Sequence, residues 1–292
     1  MKRLLAACIM ACVIGFPLIA GELTSSFSFT NLLFDADQTA PLQLSATPFT
    51  AHNGFGFGLG YKEKINDLAS FDVSLQKTAL LRNQVFTRLV FVTPFASISI
   101  GPYFAPFNTS GEALGSGISS LLRLEKPGLA FISLGADASI GSALSVRGDY
   151  IQEHSSIEAG FWLPNVLASF RVSTDSFSEK QKDDRVVVDE CSRYELITDV
   201  FKKNVPYTVR INVGYEELSR SYASSTGSLS DSLGLVLMGM EVSFQPRSDM
   251  KIRVGGESPL YAWGIGDLGS PSSNTVFLEL HAALQWTLPS KL

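Results

Sequence analysis

The segment Pro206 to Glu217, PYTVRINVGYEE, alternates without a break: Tyr207, Val209, Ile211, Val213 and Tyr215 are apolar, whereas Thr208, Arg210, Asn212, Gly214 and Glu216 are polar or lack a side chain. Successive side chains of a β-strand point to opposite faces, so this is a strand with one oily face and one wet face. The same period returns along the chain. Phe55, Phe57, Leu59 and Tyr61 oppose glycines, and Phe71, Val73 and Leu75 oppose Asp72, Ser74 and Gln76, with polar KEKIND between them as a hairpin loop. Ile132 and Leu134 oppose Ser133, Gly135 and Asp137; Leu144, Val146 and Tyr150 oppose Arg147 and Asp149. Met238, Met240, Val242 and Phe244 oppose Glu241, MKIRV sets Lys251 and Arg253 on its wet side, and IEAGFWL and VLASFRV flank a turn at Pro164-Asn165. The last segment, Thr275 to Leu288, sets Val276, Leu278, Leu280, Leu284 and Trp286 against Glu279 and His281.

What the oily faces meet is the governing question: a second protein layer makes a soluble sandwich, and lipid makes a membrane barrel. The N-terminus bears on it. Lys2 and Arg3 precede an uncharged apolar run, Leu4 to Ile19, and Ala20-Gly21 offers small residues for cleavage. That is the build of a secretory signal peptide over residues 1–20, too short to stay as a membrane span. Its removal takes Cys8 and Cys12 with it and leaves Cys191, so no internal disulfide framework is expected. Charged residues make up 17% of the chain, below the roughly 25% usual in soluble domains, and no later apolar run suits a membrane helix.

Loop lengths also sort. GSA, PN and QPRSD are short, whereas the polar stretches from Ser173, Glu217 and Gly255 are long, and barrels of outer membranes alternate short periplasmic turns with longer external loops. With the C-terminus on the periplasmic side, all three long stretches fall outside. The expected fold is all-β, a closed antiparallel transmembrane β-barrel of about 12 strands (range 10–14) over residues 54–292. Residues 21–53 form an N-terminal segment: first strand, loop or plug. Tyr150, Trp162, Tyr207, Tyr215 and Trp286 are candidates for aromatic girdles at the lipid boundary.

On these residues the chain resembles bacterial outer-membrane β-barrel proteins as a broad, porin-like class, from about Phe55 to Leu288. The resemblance implies export by a cleaved signal peptide to the outer membrane of a Gram-negative-type or spirochaetal envelope, contact with outer-membrane lipid, and insertion by the barrel-assembly machinery. One departure stands at the C-terminus: such chains commonly end on an aromatic residue, but TLPSKL follows Trp286 here.

The leading functional expectation is a porin or channel for diffusion or uptake of small solutes. Its lumen candidates are Asp72, Asp137, Arg147, Asp149, Arg210, Glu216, Glu241, Lys251, Arg253, Glu279 and His281, whose mixed charge points to weak ion selectivity. The alternatives are a surface-exposed adhesin or antigen barrel, with host or extracellular ligands at its loops, and a periplasmic or secreted all-β binding protein. A net charge of −5 without a basic cluster gives no sign of a nucleic-acid partner. His154 and Ser156 in EHSSIEAG are two apart, a spacing similar to that in outer-membrane phospholipases and lipid A deacylases. The Asn-Gly that follows the phospholipase serine is here Ile157-Glu158, and the segment reads as a hairpin loop. No enzyme, metal or cofactor is expected; GFGFGLG is a strand rather than a phosphate loop, since no helix follows it.

Overall fold

The computed structural model describes residues 21–30, 33–34, 49–50, 54–77, 83–105, 115–139, 150–180, 186–202, 205–224, 227–265 and 278–288. Its strands are β1 (Gly21–Thr30), β2 (Leu33–Phe34), β3 (Phe49–Thr50), β4 (Gly54–Lys64), β5 (Ala69–Lys77), β6 (Asn83–Val92), β7 (Ala96–Ala105) and β8 (Gly115–Lys126). There follow β9 (Ala130–Ser139), β10 (Tyr150–Leu163), β11 (Val166–Lys180), β12 (Val186–Phe201), β13 (Tyr207–Ser224), β14 (Gly227–Arg247), β15 (Met250–Ile265) and β16 (Glu279–Thr287). Apart from the small β2–β3 ladder, each strand pairs antiparallel with its chain neighbours, and β1 closes the circle by pairing with both β4 and β16.

A closed circle has no unpaired edge, which is the condition for strands to cross hydrocarbon. It also excludes a two-sheet sandwich. The barrel has fourteen strands, two more than twelve and at the upper limit of the expected range. Several strands differ from the sequence reading. Gly21–Thr30, inside the segment assigned to residues 21–53, is a barrel strand; VFTRLVFV and FASISIG belong to separate strands, β6 and β7; and β12 starts at Val186, inside a stretch read as loop.

All described turns at one end are short, and they interlock. The amide of Val92 donates to the Leu68 carbonyl, Glu125 to Phe95, Trp162 to Leu129, Phe201 to Asn165, Gln245 to Pro206, Thr287 to Asp249 and Leu288 to Gly21, at 2.7–2.9 Å. Each turn thus completes the ladder of the next hairpin, and the start of β1 and the end of β16 lie in the same rim. Asn165 takes the left-handed conformation of its two-residue turn (φ 65°), which asparagine tolerates, and Gly128 does the same at φ 72°.

The other end differs from expectation in kind. The stretches from Ser173, Glu217 and Gly255 are largely strand: β11 continues to Lys180, β13 and β14 to Ser224 and Gly227, and β15 to Ile265. Of the expected last strand, Thr275–Phe277 lie outside the described residues and Glu279–Thr287 are strand, while Gln245–Arg247 belong to β14, leaving Ser248-Asp249 as the turn. EHSSIEAG is not a hairpin loop; β10 runs straight through it.

Candidate functional site

The inner face identifies itself by reach. Arg193 on β12 bonds Glu257 on β15, three strands away, and only the concave side of a barrel brings such side chains together. Alternation then assigns the rest: Arg193, Glu195 and Asp199 face in, so Tyr194, Leu196 and Val200 face out.

The outside is apolar. Leu196 (58% exposed), Met240 (57%), Phe161 (52%), Phe27, Phe57, Ile98, Ile132 and Val213 stand free of any protein cover. A surface this oily on a closed barrel has lipid as its partner. Aromatic rows bound it. On the far side from the short turns, Tyr194, Tyr215, Trp263 and Tyr261 form a continuous row across β12 to β15, with centroids 6.2, 5.6 and 5.5 Å apart. Immediately above them the outer face turns polar, with Ser192 opposite Glu217. Near the short turns, Tyr207 is exposed on β13, and outward-facing Trp286 donates Nε1–H to Asp249 at 3.2 Å. From Tyr207 to Tyr215, at about 3.3 Å per residue and a tilt of about 40°, is roughly 20 Å, close to the apolar band of an outer-membrane barrel.

Trp162 does not belong to a girdle. It shares parity with Glu158 and Gly160 on β10, so it faces inward and meets Phe201 edge-on at 6.0 Å. Three aromatics of the row, Tyr194, Tyr261 and Trp263, are missing from the sequence reading; Tyr261 and Trp263 sat in a stretch read as loop. The side chain of Tyr150, and Arg147 and Asp149 altogether, lie outside the described residues.

Inside, a hydrogen-bonded hub lies against β12 to β15. Arg193 bonds Glu195 (2.7 Å), Glu216 (3.2 Å) and Glu257. Asn212 donates to Glu257 (2.6 Å) and Glu195 (3.2 Å), and Arg171 grips Glu158 through Nε (3.0 Å) and Nη2 (2.7 Å). The hub lies flat because glycine sits beneath it: a Cβ at Gly239 would come 2.4 Å from Asn212 Oδ1. Nearer the turns, Arg210 holds Asp199 in two bonds (2.7 and 2.9 Å), and His281 Nε2 stands 3.1 Å from Glu241, which Arg253 also influences. Lys251 shares the parity of Arg253 and is exposed. Across the barrel, Arg88 bonds Ser119 (2.8 Å), lies 3.8 Å from Asp137 and stands opposite Asp72. Glu279 faces inward opposite Glu257.

Asp72, Asp137, Arg210, Glu216, Glu241, Lys251, Arg253, Glu279 and His281 are therefore all on the inner face. The residues that organise them, Arg193, Glu195, Glu257, Arg171 and Asp199, were not among the sequence candidates. Glu257 sat in a stretch read as loop, Arg171 in the expected strand VLASFRV, and Arg193, Glu195 and Asp199 in or beside YELITDV, where the alternation is broken by Ile197.

The wall of β1, β4 and β5 is built differently. Thr24, Ser26 and Ser28 line up with Gly60, Gly58 and Gly56, and Ser74 stands opposite Gly60. Gly56, Gly58 and Gly60 project nothing and β1 offers short hydroxyl side chains beside them, whereas Lys62, Asp72 and Gln76 face inward around this low strip. Solvent reaches the charged wall too: Arg210, Arg171 and His281 are 34–36% exposed although they point inward.

His154 and Ser156 share the inner face, with His154 Nδ1 2.6 Å from Asp175 Oδ1. Lipid acyl chains lie on the opposite side of the strand, so this pair has no access to membrane phospholipid. Among the described residues no group of three or more His, Cys, Asp or Glu side chains is placed to hold a metal ion.

A closed fourteen-strand seam, an apolar exterior bounded by aromatic rows, and a polar inner wall define the chain as a transmembrane β-barrel, the architecture of outer-membrane proteins. No family profile and no curated protein matches its sequence. Among solved structures it is similar to an outer-membrane channel of Pseudomonas putida F1, at 6% identity over 94% of this chain and 97% of that one, with a TM-score of 0.49. The in-vitro folded outer-membrane protein OmpT of Vibrio cholerae gives 9%, 92%, 96% and 0.42. An anion-selective porin from Comamonas acidovorans gives 8%, 92%, 98% and 0.39.

Proposed function

We propose that the protein is an outer-membrane channel for passive movement of small hydrophilic solutes. The observation that carries this reading is the solvent-exposed charged inner wall set against a wall of glycine, serine and threonine. Eight-stranded barrels are filled by their own side chains, while those of 16–18 strands hold an aqueous channel. Fourteen strands fall between, and the low strip of glycine, serine and threonine along β1 and β4 favours an open path. On this reading the rim of short turns faces the periplasm, the extended ends of β11 to β15 project outward from the cell, and residues 1–20 are the export signal.

The test is single-channel recording of purified protein in planar lipid bilayers. Stepwise conductance is expected; a membrane that stays sealed, with folding verified by a heat-modifiable band on gels, removes the channel and leaves the barrel.

The projecting strands favour one second reading, a surface that binds extracellular ligands. It cannot be tested by deleting Ser173–Ser192, because that removes wall from β11 and β12. Replacing outward Ser192 and Glu217 and measuring adhesion of whole cells is the suitable assay; unchanged adhesion ends it.

A further inference from the structure

Charge is uneven around the inner wall. Toward the outer end, Glu158, Glu195, Glu216, Glu257 and Glu279 are gathered around only two guanidiniums, those of Arg171 and Arg193. Glu279 makes no ion pair with any described residue. At the same height the adjoining wall carries Ser28 and Thr30 on β1 and Gly56 on β4, so no positive charge answers from there. Toward the periplasmic mouth the balance is the reverse: Arg210 is held by Asp199 and Glu241 by His281, and Arg253 and Lys251 share the inner face there.

The guanidiniums are somewhat more exposed than the carboxylates they hold, but a solute in mid-lumen is several ångströms from all of them. At that range the sum of the charges outweighs their order along the wall, and low-dielectric walls focus the field along the water path. From this we infer that the lumen is selective for cations: its conducted solutes are small and positively charged or neutral, and anions are held back at the outer end. This rests on the channel reading and sharpens the weak selectivity expected from the sequence, where Arg147, Arg210, Lys251 and Arg253 weighed against Asp72, Asp137, Glu241 and Glu279 without regard to which acids they neutralise.

The experiment is the reversal potential of the full chain in a planar bilayer under a KCl gradient. Potassium is expected to be favoured over chloride by roughly threefold or more, and more strongly as salt is diluted, because exposed charges are screened over about 10 Å at 0.1 M. Glu257→Gln with Glu279→Gln keeps the shape and hydrogen bonds of the hub and is expected to bring the ratio at least halfway to one. Equal permeability, chloride preference, or a ratio indifferent to that double variant overturns cation selectivity while leaving the channel standing. Absence of any conductance removes the channel reading and this inference together.

Discussion

At the scale of the residue, two kinds of inner-face position make different demands. Gly101 on β7 has backbone against it: a Cβ there would come 1.9 Å from the Thr87 carbonyl oxygen and 2.8 Å from Arg88 Cα. Gly58 is crowded only by Ser26 Oγ, at 2.4 Å, and a hydroxyl can rotate away. Gly101→Ala is therefore expected to cost about 2–3 kcal/mol and Gly58→Ala less than about 1 kcal/mol, read as shifts in the urea midpoint of the barrel refolded in lipid vesicles. Equal shifts would show that the two contacts are alike. Arg193 is the other extreme. Its removal strands Glu195, Glu216 and Glu257 without their shared cation, so Arg193→Met is expected to lose about 3 kcal/mol in the same assay. A stability loss under about 1 kcal/mol would mean the carboxylates do not depend on it. Nothing in the sequence singles out Arg193, since two of its three partners come from β13 and β15 and their convergence exists only once the sheet curves.

Elements show why the alternation was readable and their lengths were not. Within the lipid band, β13 sets Tyr207, Ile211 and Val213 outward, and parity alone separates them from Arg210, Asn212 and Glu216. Above Tyr215 the sense reverses: Glu217 faces outward, and Leu218, Leu233, Leu235 and Leu237 pack together on the inner side. There the strand is a water-borne sheet whose outer side is polar, and serine-rich runs such as SRSYAS and GSLSDS resemble loop in composition while being strand in conformation. This explains why three long polar stretches, sorted correctly to one end, proved to be mostly β-structure. The boundary is testable within one strand. Ile211→Arg, midway between the Tyr207 and Tyr215 levels, is expected to cost about 2–4 kcal/mol in lipid, and Glu217→Arg about 0–1 kcal/mol. Similar costs at both positions would place Glu217 inside the hydrocarbon and the aromatic row in the wrong role.

For the whole molecule, the decisive property is that the first strand meets the last. Alternation gives no sign of this: each strand looks alike, and whether fourteen of them close on themselves depends on accumulated twist and tilt. In the structure Phe27 stands opposite Ala282 and Ser26 opposite Ala283, though more than 250 residues of chain separate them. Directly opposed residues of an antiparallel pair have Cβ atoms about 4.5–5.5 Å apart, the shorter value in non-hydrogen-bonded pairs, and disulfides take about 3.5–4.5 Å. Adjacent pairs alternate between the two kinds, so one of these two sites has the closer spacing. In a Cys191→Ser background, cysteines at 27 and 282 or at 26 and 283 are expected to link under mild oxidation in the folded protein. One of the two combinations should do so efficiently, giving a circularised chain with altered mobility on non-reducing gels. Cysteines at 27 and 211, on separate parts of the circumference, should stay reduced. Were neither seam pair to form while the heat-modifiable band persisted, the strands would be ordered but the ring open. The exposed edges of β1 and β16 would then need another partner inside the membrane.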